Sequence, residues 1–223
     1  MALGHIKPVE PVVPPEGGGT ITGLTWQRKD ADRCSIHMDG SYAFGLHASI
    51  VTAEGLHNGK VLGEADCRRM LAEDLYYRVL KRIMQFVGYR PRSTKEVTER
   101  MRRLGADEAV AARILDRLTE WNMIDDTDFA KRFAESRLRR HGPQRVRVDL
   151  IMKGIAPAMA DAVLADAVDP EALSKQLDEL VLLTLKRYRR EADDGIRQQK
   201  TIRYLMRRGY DAEAIRSALA RLD

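Results

Sequence analysis

Cysteine is scarce: Cys34 and Cys67 are the two in a chain of 223 residues. This excludes a disulfide-dense secreted scaffold, and their separation fits no zinc-ligand spacing, so both read as ordinary buried thiols of a reducing compartment. Apolar runs long enough to span a bilayer are missing, as is the hydrophobic core of a signal peptide, which points to a cytoplasmic protein with no membrane partner. The residues that carry chemistry are also poorly placed. His5, His37, His47, His57 and His141 show no metal-ligand spacing, and no lone serine or cysteine has a base beside it in sequence. The run GLHNGK from Gly55 to Lys60 is one residue shorter than a phosphate-binding loop, and Val61 stands where Ser or Thr would hold magnesium. Asp125, Asp126 and Asp128 could suggest a cation site, but three carboxylates at a helix start are accounted for by capping and the helix dipole. These absences describe a binder with no catalytic residue, cofactor or metal, and not an enzyme.

What is present is a repeat. Gly105, Gly154 and Gly209 are spaced by 49 and 55 residues, and each follows a basic-apolar helical pattern and precedes another of similar length. Four residues before them stand Met101, Leu150 and Leu205, and ten residues after them Leu115, Leu164 and Leu219. Glycine takes the left-handed conformation without a Cβ penalty, so all three read as residues that end a helix. The next helix is expected two residues later, at Asp107, at Ala156 with Pro157 behind it, and at Asp211. Ser93 with Glu96 has the form of a capping box, and Gly142-Pro143 places proline at the first helical position. A third helix is expected ahead of each pair, over about residues 68–88, 127–140 and 171–193, the second capped by Thr127 or Asp126 and the third started by Asp169-Pro170-Glu171.

Charge follows the same period. Residues 78–104 hold nine Lys/Arg against two Asp/Glu and residues 105–128 two against seven; residues 131–153 hold eight against two, 154–185 one against six, and 186–208 nine against three. One reading is solvated helix faces joined by ion pairs; the other is a surface that meets a polyanion or a periodic protein assembly.

The expected organisation runs as follows: residues 1–19, rich in proline and glycine, form a flexible lead; 20–67 form a small strand-rich segment; 68–125, 126–168 and 169–223 form three three-helix repeats. Asp39-Gly40 between alternating apolar residues predicts a hairpin, with Cys34, Ile36 and Met38 on one face and Tyr42, Phe44 and Leu46 across the turn. The fold class is thus mainly α, tandem helix-turn-helix-like repeats preceded by a β-hairpin sheet that packs on the helix at 68–88 or on a second chain.

The motifs RPRSTKEV (90–97), MIDDTDFAKRF (123–133), RLRRHGPQRVRVDLIMKGI (137–155) and YLMRRGYDAEAI (204–215), in that order, resemble the RecX family of bacterial regulators. The resemblance covers about residues 75–223 and implies a curved, elongated array of three-helix units that binds the RecA recombinase filament on single-stranded DNA. It further implies a restraint on filament growth, ATP turnover, strand exchange and coprotease activity in DNA repair and the SOS response. A monomer is expected, with weak, sequence-independent binding to single- and double-stranded DNA. The candidate contact set is Arg137, Arg139, Arg140, Arg145, Arg147 and Lys153, which flank the Gly142-Pro143 turn and can converge on one anionic surface, while Phe129, Leu150 and Ile155 hold their helices. Two alternatives remain open: a helix-turn-helix protein acting directly on duplex DNA, and a purely structural scaffold.

Overall fold

The structure, a computed structural model, describes residues 7–191 and 193–222. It is mostly helical and divides into two compact units, one built from the chain up to Arg90 together with Val97–Met123, the other from Pro91–Glu96 together with the chain from Ile124 onward.

In the first unit β1 (Gly19–Gln27), β2 (Asp30–Met38), β3 (Ser41–His47) and β4 (Val61–Leu62) form an antiparallel sheet in the order β3-β2-β1-β4. Asp39 and Gly40 both take positive φ, 50° and 84°, as a two-residue turn between right-twisted strands requires. Cys34, Ile36, Met38, Phe44 and Leu46 are buried against α1 (Ala48–Ala53) and the start of α2 (Glu64–Tyr89), where Ile50, Cys67 and Met70 close the core. Tyr42 departs from the expected face. A register shift after Ile36 pairs it with His37, so it stands exposed with its ring edge-on to the His37 imidazole at 5.9 Å. Asp74 of α2, fully buried, ties helix to sheet: its carboxylate accepts from His47 N–H at 2.8 Å and from both terminal nitrogens of Arg33 at 3.0 and 3.1 Å.

The flexible lead expected over residues 1–19 is different where it is described. Val9 is buried and donates its N–H to Leu104 O at 3.0 Å, while Arg78 and Arg82 of α2 donate to the carbonyls of Glu10 and Lys7 at 2.6 Å each. Residues 1–6 lie outside the described part, and Gly19 already belongs to β1.

Three helix triplets follow. They are α2, α3 (Thr94–Arg103) and α4 (Glu108–Glu120); α5 (Asp126–Leu138), α6 (Pro143–Met152) and α7 (Pro157–Ala167); and α8 (Pro170–Arg187), α9 (Asp194–Arg207) and α10 (Ala212–Leu222). Gly105, Gly154 and Gly209 take φ of 90°, 89° and 87° and end α3, α6 and α9. Asp107, Asp169 and Asp211 cap the helices after them, and Pro143 and Pro157 open α6 and α7. The middle triplet corrects the expected cap. Asp125 accepts from Thr127 and Asp128 N–H at 2.7 and 3.1 Å, whereas Asp126 reaches back to cap α3 at Thr94 N–H, 2.8 Å away. Asp128 pairs with Arg132, so all three carboxylates of the suspected cation cluster have structural partners. Phe129, Leu150 and Ile155 are buried in the core of the middle triplet, as expected.

Two of these glycines, Gly154 and Gly209, also make close joints within the second unit. Gly142 and Gln144, at the N-terminus of α6, donate N–H groups to Arg208 O and Gly209 O at 2.8 and 3.2 Å, so the open end of one helix satisfies the open end of another. A Cβ on Gly209 would lie 2.3 Å from Arg145 N, and one on Gly142 would lie 2.2 Å from Gly209 O. Gly154 meets the first turn of α3 in the same way, where an added Cβ would lie 2.6 Å from Lys95 Cβ and where Lys153 pairs with Glu96 at 2.7 Å. Gly105 has only Val9 O near it, at 3.8 Å.

These distances rank the glycines. Gly105→Ala is expected to lose about 1 kcal/mol, the backbone cost alone. Gly209→Ala adds overlap with backbone and is expected to lose roughly 2–4 kcal/mol. Urea melts of the two variants check this, and equal losses would reject the joint as the reason for glycine at 209.

Candidate functional site

The basic turn between α5 and α6 is built by its helices. Phe129 and Phe133 stack at 5.6 Å on α5, and the guanidinium of Arg137, one turn on, lies 5.4 Å from the Phe133 ring centroid. Arg139 and Arg140 then carry the chain off the helix, and Pro143 starts α6. Asp149 of α6, buried, is the anion that organises this turn: Arg145 Nε lies 3.1 Å from it and Arg137 Nη2 4.0 Å. A third arginine arrives from the last triplet. Arg208 donates to Arg140 O while its own carbonyl holds Gly142.

His141 sits inside this ring of cations. Its Nδ1 is buried with no hydrogen-bond partner among the described residues. Burial, and then the neighbouring Arg137 and Arg208, push its pKa below the ordinary histidine value, with Asp149 acting weakly the other way. The fold therefore favours the neutral imidazole.

Of the six candidate residues, Arg137 and Arg145 share Asp149, and Arg140 joins them through its backbone. The side chains of Arg139 and Arg140 are exposed and have no ion-pair partner among the described residues. The other two are turned elsewhere. Arg147 grips Asp161 of α7 through two bonds of 2.5 and 3.0 Å, which holds the Asp161 carboxyl below its usual range, and Lys153 is paired with Glu96. The turn thus presents Arg137, Arg139, Arg140 and Arg145 together with Arg208, and leaves out Arg147 and Lys153. Arg208 was not among the sequence candidates because its partners lie 68 residues earlier. Gln176 was missed for the same reason: it donates to Leu138 O at 3.0 Å and to Tyr210 Oη at 3.1 Å, closing the end of α5 against the turn after α9.

The arrangement can do one thing well. Exposed guanidiniums with a carboxylate behind them form a cationic surface of the kind that can meet carboxylates or phosphates by paired hydrogen bonds. Among the described residues no group of three or more His, Cys, Asp and Glu could hold a metal ion, and no helix is long and apolar enough to cross a membrane.

Four family models match successive parts of the chain. The regulatory protein RecX N-terminal domain matches residues 19–63, and the first, second and third three-helix domains of RecX match residues 81–118, 125–164 and 175–219. Full-length relatives agree. The regulatory protein RecX of Clostridium perfringens is 23% identical over 208 residues, covering 92% of this chain and 96% of its own. That of Clostridium acetobutylicum is 25% identical over 202 residues, with 90% and 94% covered, and that of Leuconostoc citreum is 29% identical over 199 residues, with 87% and 73% covered. A crystal structure of regulatory protein RecX superposes with a TM-score of 0.71 at 24% identity, covering 89% of this chain and 98% of the other, and so shares the fold. The RecX structure from Lactobacillus salivarius gives 0.61 at 22% identity, with 68% and 98% covered.

The neutral His141 implies a pH dependence of defined sign. Its folded pKa lies below its unfolded value of about 6.5, so the unfolded chain takes up the proton first. Stability from this site is present above about pH 6.5 and falls as the pH drops toward the folded pKa. The melting temperature of the wild type is expected to fall more steeply from about pH 7.5 to about pH 5.5 than that of His141→Asn. Parallel declines in a thermal scan would show that His141 does not sense pH.

Proposed function

The chain belongs to the RecX family of regulatory proteins, which are not enzymes and modulate RecA, and from that premise we propose that it binds RecA assembled on single-stranded DNA and restrains the filament. It limits filament growth and with it ATP turnover, strand exchange and coprotease activity in DNA repair and the SOS response. The observation that carries this reading is the family match of all four successive parts of the chain, the strand-rich segment included.

The physical case is one of many modest contacts. Exposed ion pairs contribute about 0–1 kcal/mol each, so a single arginine cluster holds a partner weakly. Triplets that each present a contact make the later contacts intramolecular once the first has formed, and a filament offers its own sites at regular intervals. Arg137, Arg139, Arg140 and Arg145 are the residues to which we assign contact in the middle triplet. Arg139 and Arg140 contribute most, because their charge is not spent on an internal carboxylate. Arg147 holds α7 against α6, and Lys153 is held by Glu96 of the first turn of α3. Direct binding to DNA is weak, follows the phosphates and shows little sequence preference.

The test adds the purified protein to the cognate RecA on single-stranded DNA and follows ATP hydrolysis together with filament length. Both are expected to decline at stoichiometric protein. The double variant Arg139→Glu with Arg140→Glu is expected to need roughly tenfold more protein for the same inhibition, equivalent to about 1.4 kcal/mol, with an unchanged helical signal by circular dichroism. A wild-type protein that leaves both filament length and ATP hydrolysis untouched in excess would reject RecA as the partner.

A further inference from the structure

A second group of arginines, in the first unit, stands apart from the turn described above. Arg78, Arg82, Phe86 and Tyr89 follow one another along α2 at spacings of four, four and three residues and so share one stripe of the helix. Arg100 of α3 lies over that stripe, its guanidinium 5.2 Å from the Phe86 ring centroid. Its Nε is buried and has no acceptor among the described residues. Burial lowers the Arg100 pKa, and the nearby Arg103 and Arg82 lower it further. Arg82, Arg100 and Arg103 are paired with no carboxylate among the described residues, in contrast to Arg137, Arg145 and Arg147 of the middle triplet. Arg82 and Arg103 are exposed, so their charge is available to an anion outside the chain, and the buried Arg100 Nε lacks an acceptor among the described residues.

What lies against Arg78 and Arg82 is backbone. The strap at residues 7–10 gives Arg82 the carbonyl of Lys7 and Arg78 the carbonyl of Glu10. It is seated by Val9, whose N–H takes Leu104 O just as Gly142 N–H takes Arg208 O in the second unit. A neutral carbonyl is a weaker partner for a guanidinium than a phosphate oxygen, whose hydrogen bonds are charge-assisted.

We propose that Arg82, Arg100 and Arg103, with Tyr89, form a contact site for the sugar-phosphate backbone and bases of a single-stranded nucleic acid, and that the strap at residues 7–10 lies across this site as a built-in competitor. Tyr89 decides between a nucleic acid and an acidic protein as the partner. It is the most exposed large apolar side chain among the described residues, at 85%, and stands one helical turn beyond Phe86. An open aromatic face on the same helical stripe as an arginine that has no carboxylate partner among the described residues suits a base stacking near its phosphate, whereas an acidic peptide has no use for it. Strand binding at Arg82 requires the Lys7 carbonyl to leave, so affinity is set by how firmly Val9 is seated. The inference rests on the chain's own residues and needs no RecA.

The experiment uses the full chain and a fluorescently labelled oligo-dT, with anisotropy read over a salt series in the absence of RecA, so that its outcome is independent of the filament assay. Arg82→Gln with Arg103→Gln is expected to lower affinity about tenfold at low salt and to flatten the log–log salt slope by about 1.4, the loss of two phosphate contacts on a single strand. Tyr89→Ala is expected to lose about tenfold with the slope unchanged, as removal of a stacking contact should. Val9→Asp, which unseats the strap, is expected to bind several-fold more tightly. Arg132→Gln removes one charge from the second unit and is expected to leave the curve in place. The site is overturned if the double arginine variant leaves both affinity and slope unchanged, or if polyglutamate displaces the oligonucleotide as well as unlabelled oligo-dT does. The competing role of the strap is overturned if Val9→Asp, folded by circular dichroism, binds no more tightly than the wild type.

Discussion

The second unit depends on helices that end against helices. Every α-helix leaves unsatisfied carbonyls at its C-terminus and unsatisfied N–H groups at its N-terminus, each of them expensive to bury alone. Where α9 ends, Arg208 O and Gly209 O take the N–H groups of Gly142 and Gln144 at the start of α6, so two sets of orphan groups satisfy each other and opposed dipole ends meet. This works only if the backbones come within hydrogen-bond distance, and a side chain on either partner would prevent it. Glycine is therefore required twice over at 209, by its left-handed φ and by the neighbour it must touch. The first unit uses the same device with a different partner: Val9 of the lead supplies the N–H for Leu104 O.

Carboxylates then sort the arginines into two kinds. Asp74, Asp149, Asp161 and Glu96 each take up a cation and in doing so fix a helix, a strand or a turn. A buried carboxylate such as Asp74 contributes position more than net stability, since its desolvation offsets most of its attraction to Arg33, yet removal of either partner strands the other. Arginines left without a carboxylate keep their full charge for something outside the chain. Net charge counted along the sequence shows where cations are dense but does not separate these kinds. Arg147 and Arg140, seven residues apart in one basic block, fall on opposite sides of that division.

What was legible in the sequence shares one property: cause and effect lie within a few residues of each other. The glycine ends, the caps at Asp107, Asp169 and Asp211, the prolines opening α6 and α7 and the Asp39-Gly40 turn all act on their own neighbourhood, and each stands where expected. What was not legible acts at a distance. Asp126 caps a helix that begins 32 residues earlier, Gln176 bridges partners 38 and 34 residues away, and Val9 meets Leu104 across most of the first unit. The register shift that turns Tyr42 outward depends on how β3 pairs with β2, which alternation along β3 alone cannot encode. The two-residue β4 is too short for any periodicity. Among the candidate arginines the same rule holds: their clustering was visible, but whether each had a carboxylate waiting for it was a tertiary fact.

A regulator that works, as proposed, through the number and placement of weak contacts still has to hold its own structure firmly. Its cores are conventional, with Leu118, Leu150 and Leu205 fully buried in successive triplets, and the joint between the last two triplets is closed by backbone hydrogen bonds between α6 and α9. Surface arginines of the last two triplets can therefore differ without altering that joint. The first triplet offers Arg82 beneath a strap, with Arg100 and Arg103 on α3, and the second an open turn at Arg139 and Arg140. A polyanion or a filament that engages one need not engage the other in the same way. Separation of a backbone joint from a variable charged surface would let one repeated unit hold its shape while, under the proposed function, each copy meets a different part of its partner.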